Sequence, residues 1–254
     1  MKSKSEEFVR LRLERAGFVI TKLDEHGCRQ PDFLVNDGTY TYLLEVKSKF
    51  PNPERAAKRN KALHIHQTYS ETGRIRYDDR IARILRDAEK QLHSKARAAD
   101  FRIIWMFAEG YDADAKLQMV RSTLYGTCGI FDLDDLQFNK PCLYFHYSEF
   151  LRMGARIDAV VISSIQNGLI CLNMFSSRYP ELRDSRMCKE IGIEVLDPIS
   201  AERDGVILIA DVRGSRKNVR IPLRYIQEKY GRPRLTYTAI SEYFLGDIAV
   251  SIET

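Results

Sequence analysis

The sequence predicts an α/β protein: a mixed sheet flanked by helices, with the element order α-β-β-β-α-β in its first part. Stretches of helical apolar spacing alternate along the chain with short apolar runs of strand length. Two of those runs are joined by Asn36-Asp37-Gly38, a hairpin signal. A third, Phe101 to Phe107, is apolar nearly throughout, as a strand buried on both faces must be.

Residues 5 to 16 set Phe8, Val9, Leu13 and Ala16 on one side of a helix, with Ser5 as N-cap and Gly17 as the stop. A strand from Phe18 to Lys22 follows, then a polar loop, Asp24 to Gln30, and the hairpin of residues 31 to 47. From Phe50 to about Tyr77 the chain is polar and broken by Pro51, Pro53 and Gly73, which reads as a loop or a partly helical insertion. Helical spacing returns over 78 to 97, where Ile81, Ile84, Leu85, Ala88 and Leu92 recur at three- and four-residue intervals. Beyond Gly110 come a helix from Ala113 to Leu124 and a strand from Cys128 to Phe131. Further strands are expected over Leu143 to Tyr147, Ile157 to Ile162, Leu169 to Phe175 and Gly205 to Asp211. Helical segments are expected over Glu181 to Ile191 and over 219 to 230. A boundary near Asp132 to Pro141 divides a core, residues 1–131, from a C-terminal α+β extension, residues 132–254. Nothing there reads as a flexible linker, so the extension could simply continue the same sheet.

A chain of 254 residues that is 44% hydrophobic has ample material for a packed core, and its net charge of +5 suits a polyanionic partner. Its five cysteines are scattered and never spaced as C-x-x-C, which argues against a disulfide framework or a zinc site and for buried thiols. The charged start, Met1 to Glu7, lacks a secretion signal, and no apolar run approaches the ~20 residues of a membrane helix. A cytoplasmic protein with no membrane partner is expected. Walker-type loops, Gly-x-Ser-x-Gly elbows and dinucleotide fingerprints are absent, which removes support for ATP-driven and serine-hydrolase chemistry.

The chemistry-bearing residues lie in the hairpin. Asp32 opens its first strand and Glu45-Val46-Lys47 ends its second. Strand alternation places Glu45 and Lys47 on one face, with Leu44 and Val46 on the other, and the hairpin brings Asp32 beside them. Two carboxylates and a lysine are what metal-dependent phosphodiester hydrolysis needs, since hard divalent cations prefer oxygen ligands and the water must be activated. Asp32, Glu45 and the Val46 carbonyl would bind metal, and Lys47 would orient or deprotonate the water.

Pro31-Asp32 and Glu45-x-Lys47, in a hairpin preceded by a helix and a strand, resemble the PD-(D/E)XK nuclease superfamily over roughly residues 5 to 109. The resemblance implies a restriction-endonuclease-like core and a Mg²⁺ or Mn²⁺-dependent nuclease, with DNA ahead of RNA as substrate and endonucleolytic cleavage expected. It also implies an acid on the first helix, for which Glu6 lies nearer the apolar side than Glu7; a first-turn glutamate favoured by the helix dipole is the alternative. A residue of the later helix would touch the water or phosphate, with Gln91 taken as the site member and Lys90 as the other candidate, unless they belong to a solvated face. A homodimer is expected of a two-strand cutter. The rival reading is a nuclease-fold binding or regulatory subunit without turnover.

Residues 51 to 102 carry 13 arginines and lysines against 7 acids. Arg55, Lys58, Arg59, Lys61 and Lys90 in this stretch could track a phosphate backbone, or could be solvated charges on a loop. His64, His66 and Tyr69 could stack on bases, whereas His64-x-His66 and His93 lack the converging ligands of a metal site. The cluster Arg213 to Arg220 could hold phosphate or be a charged hairpin tip.

Overall fold

Seven strands form the main sheet, and its helices lie on both faces. A computed structural model of the chain describes residues 3–23, 30–49, 53–65, 68–94, 98–110, 112–212, 214–238 and 242–248. Helix α1 (Lys4–Arg15) leads into β1 (Val19–Lys22), β2 (Phe33–Asn36) and β3 (Thr41–Lys49). Then come α2 (Pro53–His64), β4 (Tyr69–Ile75), α3 (Asp79–Leu92), β5 (Phe101–Ala108) and α4 (Ala113–Tyr125). The next stretch holds β6 (Cys128–Asp132), β7 (Asn139–Leu143), α5 (Glu149–Met153), β8 (Ala159–Ser163) and β9 (Gly168–Leu172). Short elements follow: α6 (Tyr179–Asp184), α7 (Arg186–Glu190), β10 (Glu194–Leu196), α8 (Pro198–Arg203) and β11 (Leu208–Ile209). The last are α9 (Arg220–Lys229), β12 (Leu235–Tyr237) and β13 (Glu242–Ile248).

The main sheet has the order β1-β2-β3-β5-β8-β9-β10. Strand β2 runs antiparallel to both β1 and β3; β3, β5 and β8 run parallel, β9 turns back against β8, and β10 runs parallel to β9. The sheet therefore takes three strands from beyond residue 132, and the division at that point does not separate two sheets. A smaller sheet, β11-β7-β6-β12, packs with α9, and β4 pairs with β13.

Strand alternation divides the core. Leu43, Ile104, Met106 and Val160 pack on one face against Ile81, Leu85 and Ala88 of α3 and Leu117 and Leu124 of α4. Tyr42, Leu44, Val46, Trp105 and Val161 pack on the other against Val9 and Leu13 of α1 and Leu182 and Met187 of α6 and α7. Trp105 is fully buried, and its indole N–H donates to Ser163 Oγ at 2.8 Å, so its polar edge is not stranded. The hairpin turn is held by its own side chains: Asn36 Oδ1 accepts from Gly38 N–H, and Asp37 Oδ1 from the N–H groups of Thr39 and Tyr40. Tyr42 Oη donates to the other Asp37 oxygen, which fastens the turn to the strand.

Several sequence expectations need correction. The N-cap of α1 is Ser3, and Ser5 lies inside the helix, buried. The insertion after Phe50 contains the foreseen helix but also β4, whose partner β13 is near the far end of the chain. The strand expected at 143–147 is β7, four residues earlier; the chain turns at Tyr144, which has φ 62°. The helical signal at 181–191 is two helices that meet at Ser185, and the strand at 205–211 shrinks to Leu208–Ile209. Cys128, Cys142, Cys171 and Cys188 are buried free thiols, as expected; Cys28 lies outside the described residues. Among the described residues no helix is long and apolar enough to cross a membrane.

Gly126, at φ +59°, ends α4 where the turn of residues 144–148 crosses it. A Cβ there would lie 2.5 Å from the carbonyl oxygens of His146 and Tyr147. Gly126→Ala is expected to destabilise the chain by at least about 2 kcal/mol, read as a lower urea midpoint at unchanged slope, because neither backbone can yield.

Candidate active site

Strand β3 outruns β2. The ladder between them ends at Phe33 opposite Leu44, and β3 continues to Lys49 with β5 along its other flank. Val46 N–H therefore has no β2 backbone acceptor. The Asp32 side chain supplies one, its Oδ2 accepting from Val46 N–H at 2.7 Å. The Asp32 carbonyl meanwhile accepts from Leu23 N–H at 3.0 Å, so the residue is held on both sides.

Glu45 and Lys47 project to the α3 face, as the alternation requires. Glu45 is 1% exposed. Lys47 Nζ donates to Glu45 Oε1 and, at 2.6 Å, to Gln91 Oε1 on α3. Gln91 reaches the site because α3 lays its apolar stripe over β3 and β5, leaving this partly buried polar residue beside the stripe. Lys90, the next residue, points about 100° away around the helix. It is exposed and pairs with Asp87 at 3.4 Å, so it is not part of this group.

Glu6 is paired with Lys22 of β1 rather than with Asp32, Glu45 or Lys47. It stays close enough that its charge acts on Asp32. Burial is the largest influence on the Asp32 carboxyl and pushes it above the usual carboxylate range; the Val46 N–H opposes this, Glu6 adds to it, and Lys47 and Lys22 oppose it. Lys22 is the member that the sequence did not disclose. It sits opposite Phe33 in the β1–β2 ladder, with Nζ 5.3 Å from that ring's centroid. The available signal was its place at the end of the strand that precedes the Asp32 hairpin.

Asp32 and Glu45 offer carboxylate oxygens. The Val46 carbonyl points to the same flank as its N–H, the flank β2 has left, because both groups of a strand residue face one neighbour. Two carboxylates and a carbonyl suit a hard divalent cation that keeps several waters. Among the described residues no group of three His, Cys, Asp or Glu side chains forms a metal cage, so water and substrate oxygens would complete the shell.

The basic residues lie farther out. Lys58 and Lys61 are exposed on α2, which begins four residues after β3, and Arg59 turns to Asn60 Oδ1. The Arg55 side chain and His66 lie outside the described residues. His93 binds the Arg156 carbonyl at 2.9 Å and takes no part in the group around Asp32 and Glu45. In the later basic cluster Arg216 is buried, donating through Nη2 to the carbonyls of Ala210 and Val212, so it braces its loop; Arg213 lies outside the described residues.

Comparison of the chain with protein-family models, with curated proteins and with solved structures finds no match in any of the three.

The raised Asp32 carboxyl has a measurable consequence. Its protonated form is favoured by folding, so that stability is fully present below about pH 4 and is lost as the pH rises through the higher folded value. With chelator present, Asp32→Asn should melt above wild type, and the gap should widen as the pH is raised from about 4 to 7. Adding Mn²⁺ should raise the wild-type midpoint by a few degrees and leave Asp32→Asn and Glu45→Gln unmoved, in differential scanning fluorimetry.

Proposed function

We propose that the chain is a divalent-cation-dependent nuclease that hydrolyses phosphodiester bonds, with DNA as its substrate and internal bonds as its target. The observation that carries the proposal is the convergence of Asp32, Glu45, Lys47 and Gln91 at the end of β3, with Lys47 Nζ held between Glu45 and Gln91. The choice of DNA comes from the resemblance of Asp32 and Glu45-x-Lys47 to the PD-(D/E)XK pattern. The excess of cations over residues 51 to 102 supports a polyanionic substrate.

In this reading Asp32, Glu45 and the Val46 carbonyl would hold Mg²⁺ or Mn²⁺. When bound, the cation supplies Lewis acidity toward the scissile phosphate and lowers the pKa of water. Asp32 is kept in place by the Val46 amide, so its second carboxylate oxygen is the one left for the cation. Lys47, held between Glu45 and Gln91, would direct its ammonium to the attacking water and to the charge growing on the phosphate. Gln91 holds Lys47 in position from the helix side. Glu6 stands one step out, beside Lys22, and modulates Asp32 through its charge.

Purified protein incubated with supercoiled plasmid or single-stranded RNA, in Mg²⁺, Mn²⁺ or chelator, should nick the plasmid only with metal. Asp32→Ala should abolish cleavage, Lys47→Ala should slow it by about 10²–10⁴-fold, and Gln91→Ala by about tenfold. Equal cleavage by wild type and the Asp32 and Lys47 variants would refute the assignment. Tight binding without cleavage in every metal would favour a binding subunit instead.

A further inference from the structure

A second concavity lies apart from Asp32, Glu45, Lys47 and Gln91. It is a cleft of about 840 Å³ between the start of α3, the corner from α4 to β6, and the small sheet. That volume falls within the roughly 300–1,000 Å³ of small-molecule sites.

Two guanidinium groups line it, Arg76 and Arg121. Neither makes a hydrogen bond or ion pair with the described residues. This sets them apart from Arg86, Arg152, Arg156, Arg178 and Arg232, all of which are paired with carboxylates. Asp79 is the sole acid of the lining among the described residues, so the cleft carries a net positive charge.

The aromatic wall is rigid. Tyr77 Oη donates to Glu149 Oε1 at 2.7 Å and accepts from Arg86 Nη2 at 3.1 Å. Glu149 is 1% exposed and is also gripped by Arg152, so the Tyr77 ring is anchored to a buried ion network. Tyr147 stands beside it, 47% exposed, the ring centroids 6.2 Å apart. The turn that presents Tyr147 is the one locked by Tyr144 in the left-handed region and by the close approach of Gly126. Backbone strain of this kind, kept where it orients a particular side chain, marks a place where position matters. His146 also lines the cleft, and burial pushes its imidazole down, leaving a neutral donor and acceptor at pH 7. The Cys128 thiol in the same wall is pushed up to about 12 by burial, so it stays a neutral thiol at pH 7.

Unpaired guanidiniums take phosphate oxygens, and exposed tyrosine faces stack on bases. We propose that this cleft binds a nucleoside phosphate, its phosphate between Arg76 and Arg121 and its base against Tyr77 and Tyr147. The ligand is a free nucleotide or the phosphorylated end of a polynucleotide. The proposal stands whether or not the residues around Asp32 cleave anything.

Equilibrium dialysis in chelator with the full chain tests it, using the four ribonucleoside 5′-monophosphates, a 5′-phosphorylated deoxyoligonucleotide and inorganic phosphate as probes. At least one nucleotide or the oligonucleotide should bind. Its affinity should fall about tenfold or more in Arg121→Gln and in Tyr147→Ala, both checked for native circular dichroism, and be unchanged in Asp32→Asn. Binding of mononucleotides assigns a free ligand, and binding of the oligonucleotide alone assigns a strand end. No binding of any nucleotide probe, equal binding by the cleft variants, or inorganic phosphate binding as tightly as the nucleotides would overturn the proposal.

Discussion

The Val46 N–H lies on the flank of β3 that β2 has already left, in a strand whose other flank is fully paired with β5. A buried amide without an acceptor is costly, by about 1–3 kcal/mol, and here a side chain takes the place of a strand. Because that side chain is Asp32, the repair of a shortened ladder also fixes a carboxylate at the strand end. Glu45 and Lys47 flank the repaired position on either side, so strand geometry alone delivers both to one face.

The α3 face completes the arrangement. Helix α3 covers β3 through Ile81, Leu85 and Ala88, and the same packing presents Gln91 to Lys47. Charge is balanced on a small scale: Glu6, Asp32 and Glu45 are set against Lys22 and Lys47, with one acid more than there are bases. The excess falls on Asp32, the group that burial already penalises. Its charged form is helped by the Val46 N–H and by the positive charges of Lys47 and Lys22.

Much of this was legible in the sequence, because it depends on period and proximity. The turn at Asn36-Asp37-Gly38 fixes the register, and register brings Asp32 opposite the Glu45 end of β3. Gln91 could be preferred to Lys90 as the site member from the sequence, but its contact with Lys47 depends on the rotation of α3 on the sheet, which decides which of two neighbours faces inward. The pairing of β4 with β13 was illegible for a different reason: the partners are distant in the chain, and local pattern carries no trace of them. Strand β7 was misplaced because Pro141 argues against a strand. It is tolerated because β11 pairs only with Cys142 and Leu143, leaving Pro141 beyond the ladder on that side.

Strand β5 joins the two halves of the chain, with β3 on one edge and β8 on the other along an almost wholly buried run. Helices α3 and α5 are tied across the same divide by Arg86 with Glu149 and by Arg152 with Glu89. Residues 1–131 alone would present the apolar edge of β5 to water, a template for self-association rather than a free-standing fold. The hairpin that holds Asp32 and Glu45 is thus no portable cassette: it could be inherited, expressed or grafted only together with the strands that follow it.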